Sequence, residues 1–166
     1  MLQVWLKALK EEIKILLDEH DIDVVGLTET RGRDDIMDTE FDFASFKLFR
    51  KDRSMMNYKK GGVTLYVRDS LLSMPCDDLN SKHCESIWTK VYVNEIDYFI
   101  ARVCYKSPDA DEKETDELFN CFKEATDLNQ SIIIMADFNY RTTDWKQLKA
   151  DDVRGQKFIK LTMDCF

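Results

Sequence analysis

The sequence predicts an α/β (α+β) fold, a sandwich of β-sheets with helices over its outer faces. Three observations carry that prediction. Apolar residues at three- and four-residue steps open the chain. Short, β-branched runs separated by turn residues fill its middle. Near the end, an amphipathic stretch leads into a wholly apolar run. At 166 residues the chain fits a single domain, 1–166, with enough length for a true core.

Leu2, Trp5, Leu6, Leu9, Ile13, Leu16 and Leu17 form one helical stripe, with Lys7, Lys10, Glu11, Lys14 and Asp18 opposite. The helix should stop between Asp18 and Asp21, with His20 beside its last carbonyls. Ile22 to Thr28 then reads as a buried strand with Glu29 at its end, and a second strand is expected near Phe46 to Arg50. Gly61-Gly62 introduces a strand from Val63 to Arg68, and Ser73 to Lys82 reads as a turn-rich connection. Ser86 to Val93 and Tyr98 to Tyr105, joined through Asn94-Glu95, look like a hairpin. Ser107-Pro108-Asp109 breaks the chain before a helix over Glu114 to Asp127, with Leu118, Phe119, Phe122 and Ala125 inward. Ser131 to Ala136 is an apolar strand that runs into Asp137-Phe138-Asn139, and a last helix is expected from Arg154 to Thr162.

The composition excludes several classes of function. With 24 basic and 32 acidic residues the net charge is -8, which argues against coating nucleic acid through bulk positive charge. No stretch approaches the roughly 20 apolar residues of a membrane span. Charged residues from Lys7 to Lys14 interrupt any signal-peptide core, and cysteines that read as free thiols suit an intracellular (nuclear or cytoplasmic) and not a secreted protein. The five cysteines, Cys76, Cys84, Cys104, Cys121 and Cys165, include no C-x-x-C pair and read as free thiols. His20 and His83 stand at no zinc-ligand spacing from a cysteine pair. The phosphate-binding G-x-x-x-x-G-K-[ST] loop is absent, as is G-x-S-x-G.

Glu29 and Asp137 are the residues that point to chemistry, because each directly follows an apolar strand. Carboxylates at the carboxyl ends of neighbouring strands meet at one sheet edge, where open α/β sheets bind ligands. Oxygen donors there suit Mg²⁺, and a nearby Asp can take a proton from attacking water. Turn formation explains an Asp after a strand equally well. Lys47, Arg50, Lys51, Arg53, Lys59, Lys60 and Arg68 stand against Asp52 alone, a local positive run that suits a phosphate backbone or a solvated face. Tyr105 ends a strand and can donate to a phosphate oxygen, or serve only as a strand-end tyrosine with its ring half buried.

Five segments in order, DVVGLTET (Asp23 to Thr30), GGVTLYVR (Gly61 to Arg68), CESIWTKV (Cys84 to Val91), ARVCYKSP (Ala101 to Pro108) and SIIIMADFNYRTTDW (Ser131 to Trp145), carry a family likeness. The chain resembles the endonuclease–exonuclease–phosphatase family, and within it the apurinic-type endonuclease domain of non-LTR (LINE-type) retrotransposons. The resemblance implies a four-layer α-β-β-α sandwich of two mixed sheets. It implies a DNA endonuclease dependent on Mg²⁺, with Mn²⁺ as the alternative ion, that leaves a 3′-hydroxyl to prime reverse transcription. By motif, Glu29 would hold the metal and Tyr105 would contact the scissile phosphate. Asp137 would orient and deprotonate the water, and Asn139 would hydrogen-bond the phosphate as charge develops.

The likeness also has departures. The family's opening strand with a metal-binding Asn and its closing Asp-His motif have no counterpart, so the domain is expected to be incomplete at both termini and impaired. Arg31 stands where related retroelement domains often carry Trp, and Ala136 where they often carry Gly. Two alternatives accompany the DNA reading: a phosphatase or lipid phosphodiesterase of the same family, and a non-catalytic remnant or binding module.

Overall fold

The computed structural model describes residues 2–33, 35–52, 61–79 and 85–165. Helix α1 (Leu2–Glu19) ends where the sequence predicts, and His20 donates its backbone N–H to the carbonyl of Leu16. Strands β1 (Val24–Thr28), β2 (Phe46–Lys51) and β3 (Val63–Arg68) form a three-stranded sheet in the order β1-β3-β2. Both pairings are antiparallel. Among the described residues, mixed pairing is therefore confined to the second sheet.

The second sheet has the order β4-β5-β6-β7. Its strands are β4 (Ser73–Pro75), β5 (Glu85–Tyr92), β6 (Tyr98–Tyr105) and β7 (Ile132–Asp137). The expected hairpin is β5-β6; its turn closes on Asn94, whose Oδ1 accepts from the N–H groups of Ile96 and Asp97. Strand β7 runs parallel to β6, so helix α2 (Glu112–Thr126) must carry the chain back between them. A capping box fixes the start of α2: Glu114 N–H donates to Asp111, and the Glu114 side chain accepts from Asp111 N–H.

Two pieces escape the sequence reading. The segment read as a turn-rich connection contains β4, and its Pro75 is tolerated because β4 is an edge strand. A small hairpin of β8 (Thr143–Asp144) and β9 (Lys149–Ala150) precedes helix α3 (Val153–Cys165). Two-residue strands are too short to show alternation in a sequence. His83, Cys84, Met55 and Met56 lie outside the described residues, as do the side chains of Leu2, Trp5, Leu6 and Leu9.

Strand alternation sorts the side chains into four layers. Val25, Leu27 and Leu48 turn outward to meet Ile13 and Leu17 of α1, with Phe43 and Tyr66. Val63, Leu65 and Val67 turn inward against Ile87, Val91, Ala101, Val103 and Tyr105 of the second sheet. The opposite face of that sheet, with Trp88, Ile100 and Cys104, packs under α2 and α3. Cys76, Cys104 and Cys165 carry free thiols, and burial pushes the Cys104 thiol up to about 11.

Arg102 also points toward α2 and is fully buried. Its guanidinium lies between the rings of Trp88 at 4.3 Å and Phe122 at 4.4 Å. Its Nε, Nη1 and Nη2 have no hydrogen-bond partner among the described residues.

Candidate active site

Glu29 reaches the site by breaking its strand's alternation. A continued β1 would turn residue 29 outward with Val25 and Leu27. Glu29 instead has φ +54°, and Arg31 repeats that value. The chain then binds across to the glycine pair, with Thr30 N–H donating to Gly62 O at 3.2 Å and Arg31 N–H to Gly61 O at 2.8 Å. Gly62 is required there: at φ +84° a Cβ would also stand 2.7 Å from Thr30 Oγ1.

Gly26 brings the two sheets close enough for Glu29 to touch the second one. A Cβ on Gly26 would lie 3.0 Å from Val103 and 3.2 Å from Met135, side chains of β6 and β7. With no side chain between them, β1 approaches those strands, and the Tyr105 hydroxyl donates to Glu29 Oε1 at 2.8 Å. This bond links residues 76 positions apart.

Asp137 is the register partner of Tyr105 on the parallel neighbour, so both side chains leave the sheet on the face toward the first sheet. Glu85 is the register partner of Tyr105 on its other side. Sequence reasoning passed over Glu85 because it starts a strand instead of ending one. In an antiparallel pair, however, the start of β5 lies at the same edge as the end of β6. The Glu85 carboxylate accepts the N–H of Gly62 at 2.9 Å, tying the glycine turn to the site. Burial, the bond to Glu29 and the charges of Glu29, Asp137 and Glu85 all push the Tyr105 phenol far above the ordinary tyrosine range. Tyr105 is therefore a protonated donor, 3% exposed, among three carboxylates.

Asn139 sits in the turn after β7 with φ +54°. Its N–H donates to Asp137 Oδ1 at 3.0 Å, an Asx-type turn. Its Nδ2 donates to the carbonyl of Lys106 at 2.9 Å. An amide NH₂ has two protons, and this bond uses one. All four predicted site residues, Glu29, Tyr105, Asp137 and Asn139, thus fall at one end of the sandwich.

The basic run is less concentrated than its sequence suggests. Arg50 pairs with Asp52 and Asp38 and donates to the carbonyls of Ile36 and Arg33. Arg68 pairs with Asp23 and Asp21. Lys47 donates to Ser73 O at 2.8 Å. Arg50 and Arg68 thus hold loops to the first sheet, and Lys47 ties that sheet to β4 of the second. Arg53, Lys59 and Lys60 lie outside the described residues. On the α1 side, a cavity of about 400 Å³ reaches Glu29 over a floor that includes Ile13, Leu27, Phe43 and Tyr66.

The donor set suits a hard divalent cation in one respect. Such an ion is held by one or two carboxylates, substrate phosphates and water, and Glu29 has a second carboxylate oxygen beyond the one bonded to Tyr105. Among the described residues no group of three or more His, Cys, Asp or Glu side chains is placed to hold a metal ion by itself.

The profile of the Endonuclease/Exonuclease/phosphatase family matches residues 5–151. The chain belongs to this family. The two packed sheets with helices on their outer faces agree with the fold of this family. A solved endonuclease domain of TRAS1, a telomere-specific non-LTR retrotransposon, is similar, with a TM-score of 0.68 at 12% identity, over 94% of this chain and 64% of that one. The catalytic domain of Xenopus laevis APE2 is similar, with a TM-score of 0.54 at 15% identity, over 89% of this chain and 61% of that one. At these identities the likeness is one of fold, and the chain spans less than two thirds of either solved domain. No curated protein matches the chain at a significant level. Among the described residues no helix is long and apolar enough to cross a membrane.

Proposed function

We propose that this domain is a phosphodiesterase that cuts the DNA backbone with the aid of a bound Mg²⁺ (or Mn²⁺). The observation that carries the reading is the hydrogen bond from the Tyr105 hydroxyl to Glu29, with Asp137 alongside on the next strand. Glu29 would hold the ion, which supplies charge stabilisation at the phosphoryl oxygens. Tyr105 keeps its proton and donates to Glu29 or to a phosphate oxygen. Asp137 orients a water and takes its proton as the water oxygen bonds to phosphorus. The bond from phosphorus to the 3′-oxygen breaks, leaving a 5′-phosphate and, once protonated, a 3′-hydroxyl. Asn139 offers its remaining amide proton to the phosphate as negative charge grows there.

The reading is tested by nicking of supercoiled plasmid by the purified chain, with Mg²⁺ and with excess chelator. Loss of the general base should lower the rate about 100- to 10,000-fold in Asp137→Asn. Nicking that survives either that substitution or chelation would sink the assignment. Release of free phosphate from monoesters in place of nicking would favour the phosphatase alternative. Metal-dependent DNA binding without turnover would favour the impaired or non-catalytic one.

A further inference from the structure

Alternate residues of the segment after β7 do different work. Asp137 and Asn139 face the site, while Phe138 and Tyr140 turn to α3. Both of their rings meet Phe158, Phe138 with centroids 4.5 Å apart and Tyr140 stacked at 4.7 Å. The other side of this clamp is Lys106, a residue that follows the β6 motif and has no assigned role. Its side chain is folded inward, 6% exposed, with Nζ 4.5 Å from the centre of the Tyr140 ring. Its backbone meets the same turn twice. The Lys106 N–H donates to Asp137 O at 2.9 Å, and the Lys106 carbonyl accepts from Asn139 Nδ2 at 2.9 Å.

We propose that Lys106 is a positioning residue for Asn139, its ammonium seated on Tyr140 so that its own carbonyl holds the Asn139 amide in place. The proposal rests on the phosphodiesterase reading of the site and deepens it. A lysine side chain freed to solvent would leave Tyr140 uncovered on one face. The turn at residue 139, already in the left-handed region, would then have one restraint fewer. Two charged or aromatic side chains outside the site thus control where a substrate-facing amide points.

The test uses the full chain, with two readouts. The first is the nicking rate. Lys106→Met keeps the length of the side chain and removes its charge, and kcat should fall about 10- to 100-fold through misplacement of a site group. The KM for plasmid should stay within about twofold, since the lost interaction acts in the transition state. Lys106→Arg should restore most of the rate. The second readout needs no activity: the side-chain amide resonances of Asn139 in a ¹⁵N–¹H spectrum. They should shift and exchange faster in Lys106→Met and return toward their native positions in Lys106→Arg. Should Lys106→Met fail to fold, Tyr140→Leu against Tyr140→Phe asks the same question, since only the second keeps the ring beneath the ammonium. Native Asn139 resonances in Lys106→Met or Tyr140→Leu would overturn the proposal. A wild-type chain that nicks nothing would instead count against the phosphodiesterase reading, and the Asn139 resonances would still decide the role of Lys106.

Discussion

Replacing Arg102 with methionine is expected to stabilise this protein. The guanidinium is fully buried and makes no hydrogen bond to any described residue through its three nitrogens. A buried donor without a partner costs about 1–3 kcal/mol, and more when charged. Against that stand two ring contacts, to Trp88 and Phe122. A desolvated cation–π contact returns about 2 kcal/mol. Two such contacts do not cover three unpaired nitrogens. Methionine has similar reach, fills irregular space and brings no donor. The gain should lie near the about 1–4 kcal/mol seen where well-packed apolar residues replace buried charges. For a domain of this length that corresponds to a rise in Tm of roughly 3–12 °C, measured by calorimetry or circular dichroism. Arg102→Ala is the control: it removes the charge and opens a cavity, so it should gain less or lose stability. A fall in the Tm of Arg102→Met by several degrees would refute the reasoning, because the guanidinium would then be contributing more than its burial costs.

Two further outcomes follow from the same structure. Tyr66 and Tyr140 are pushed up to about 12, chiefly by burial, and Tyr105 is pushed higher. Their folded pKa values exceed the unfolded one, so the stability they contribute is complete below about pH 10 and is lost as pH rises through the folded values. Absorbance at 295 nm should therefore show a delayed titration step that joins the normal one when the protein is unfolded in denaturant. Gly26→Val should cost about 1–3 kcal/mol through overpacking against Val103 and Met135. It should also weaken Tyr105–Glu29, visible as an earlier Tyr105 titration; a variant of native stability and unchanged titration would show that the sheets have slack at this point.

Much of this molecule is set by local pattern. The helical stripe around Ile13, the glycine pair before β3, the hairpin at Asn94 and the apolar run into Asp137 each declare themselves in order, because 3.6- and 2-residue periods are properties of the chain alone. So did the four residues of the candidate site, through strand ends and family likeness. Tertiary structure decided how those residues meet. Alternation would have turned Glu29 toward α1; a left-handed residue at its own position and a side-chain-free approach at Gly26 bring it to Tyr105 instead. Glu85 joined the site only because an antiparallel neighbour begins where β6 ends. The basic run, which by sequence suits a phosphate backbone or a solvated face, is partly engaged by Asp23, Asp38 and Asp52 and by backbone carbonyls. Periodicity fixes which face a residue takes along its own strand. Which strands lie close enough to share a hydrogen bond depends on contacts between distant segments, and only the packed sheets supply them.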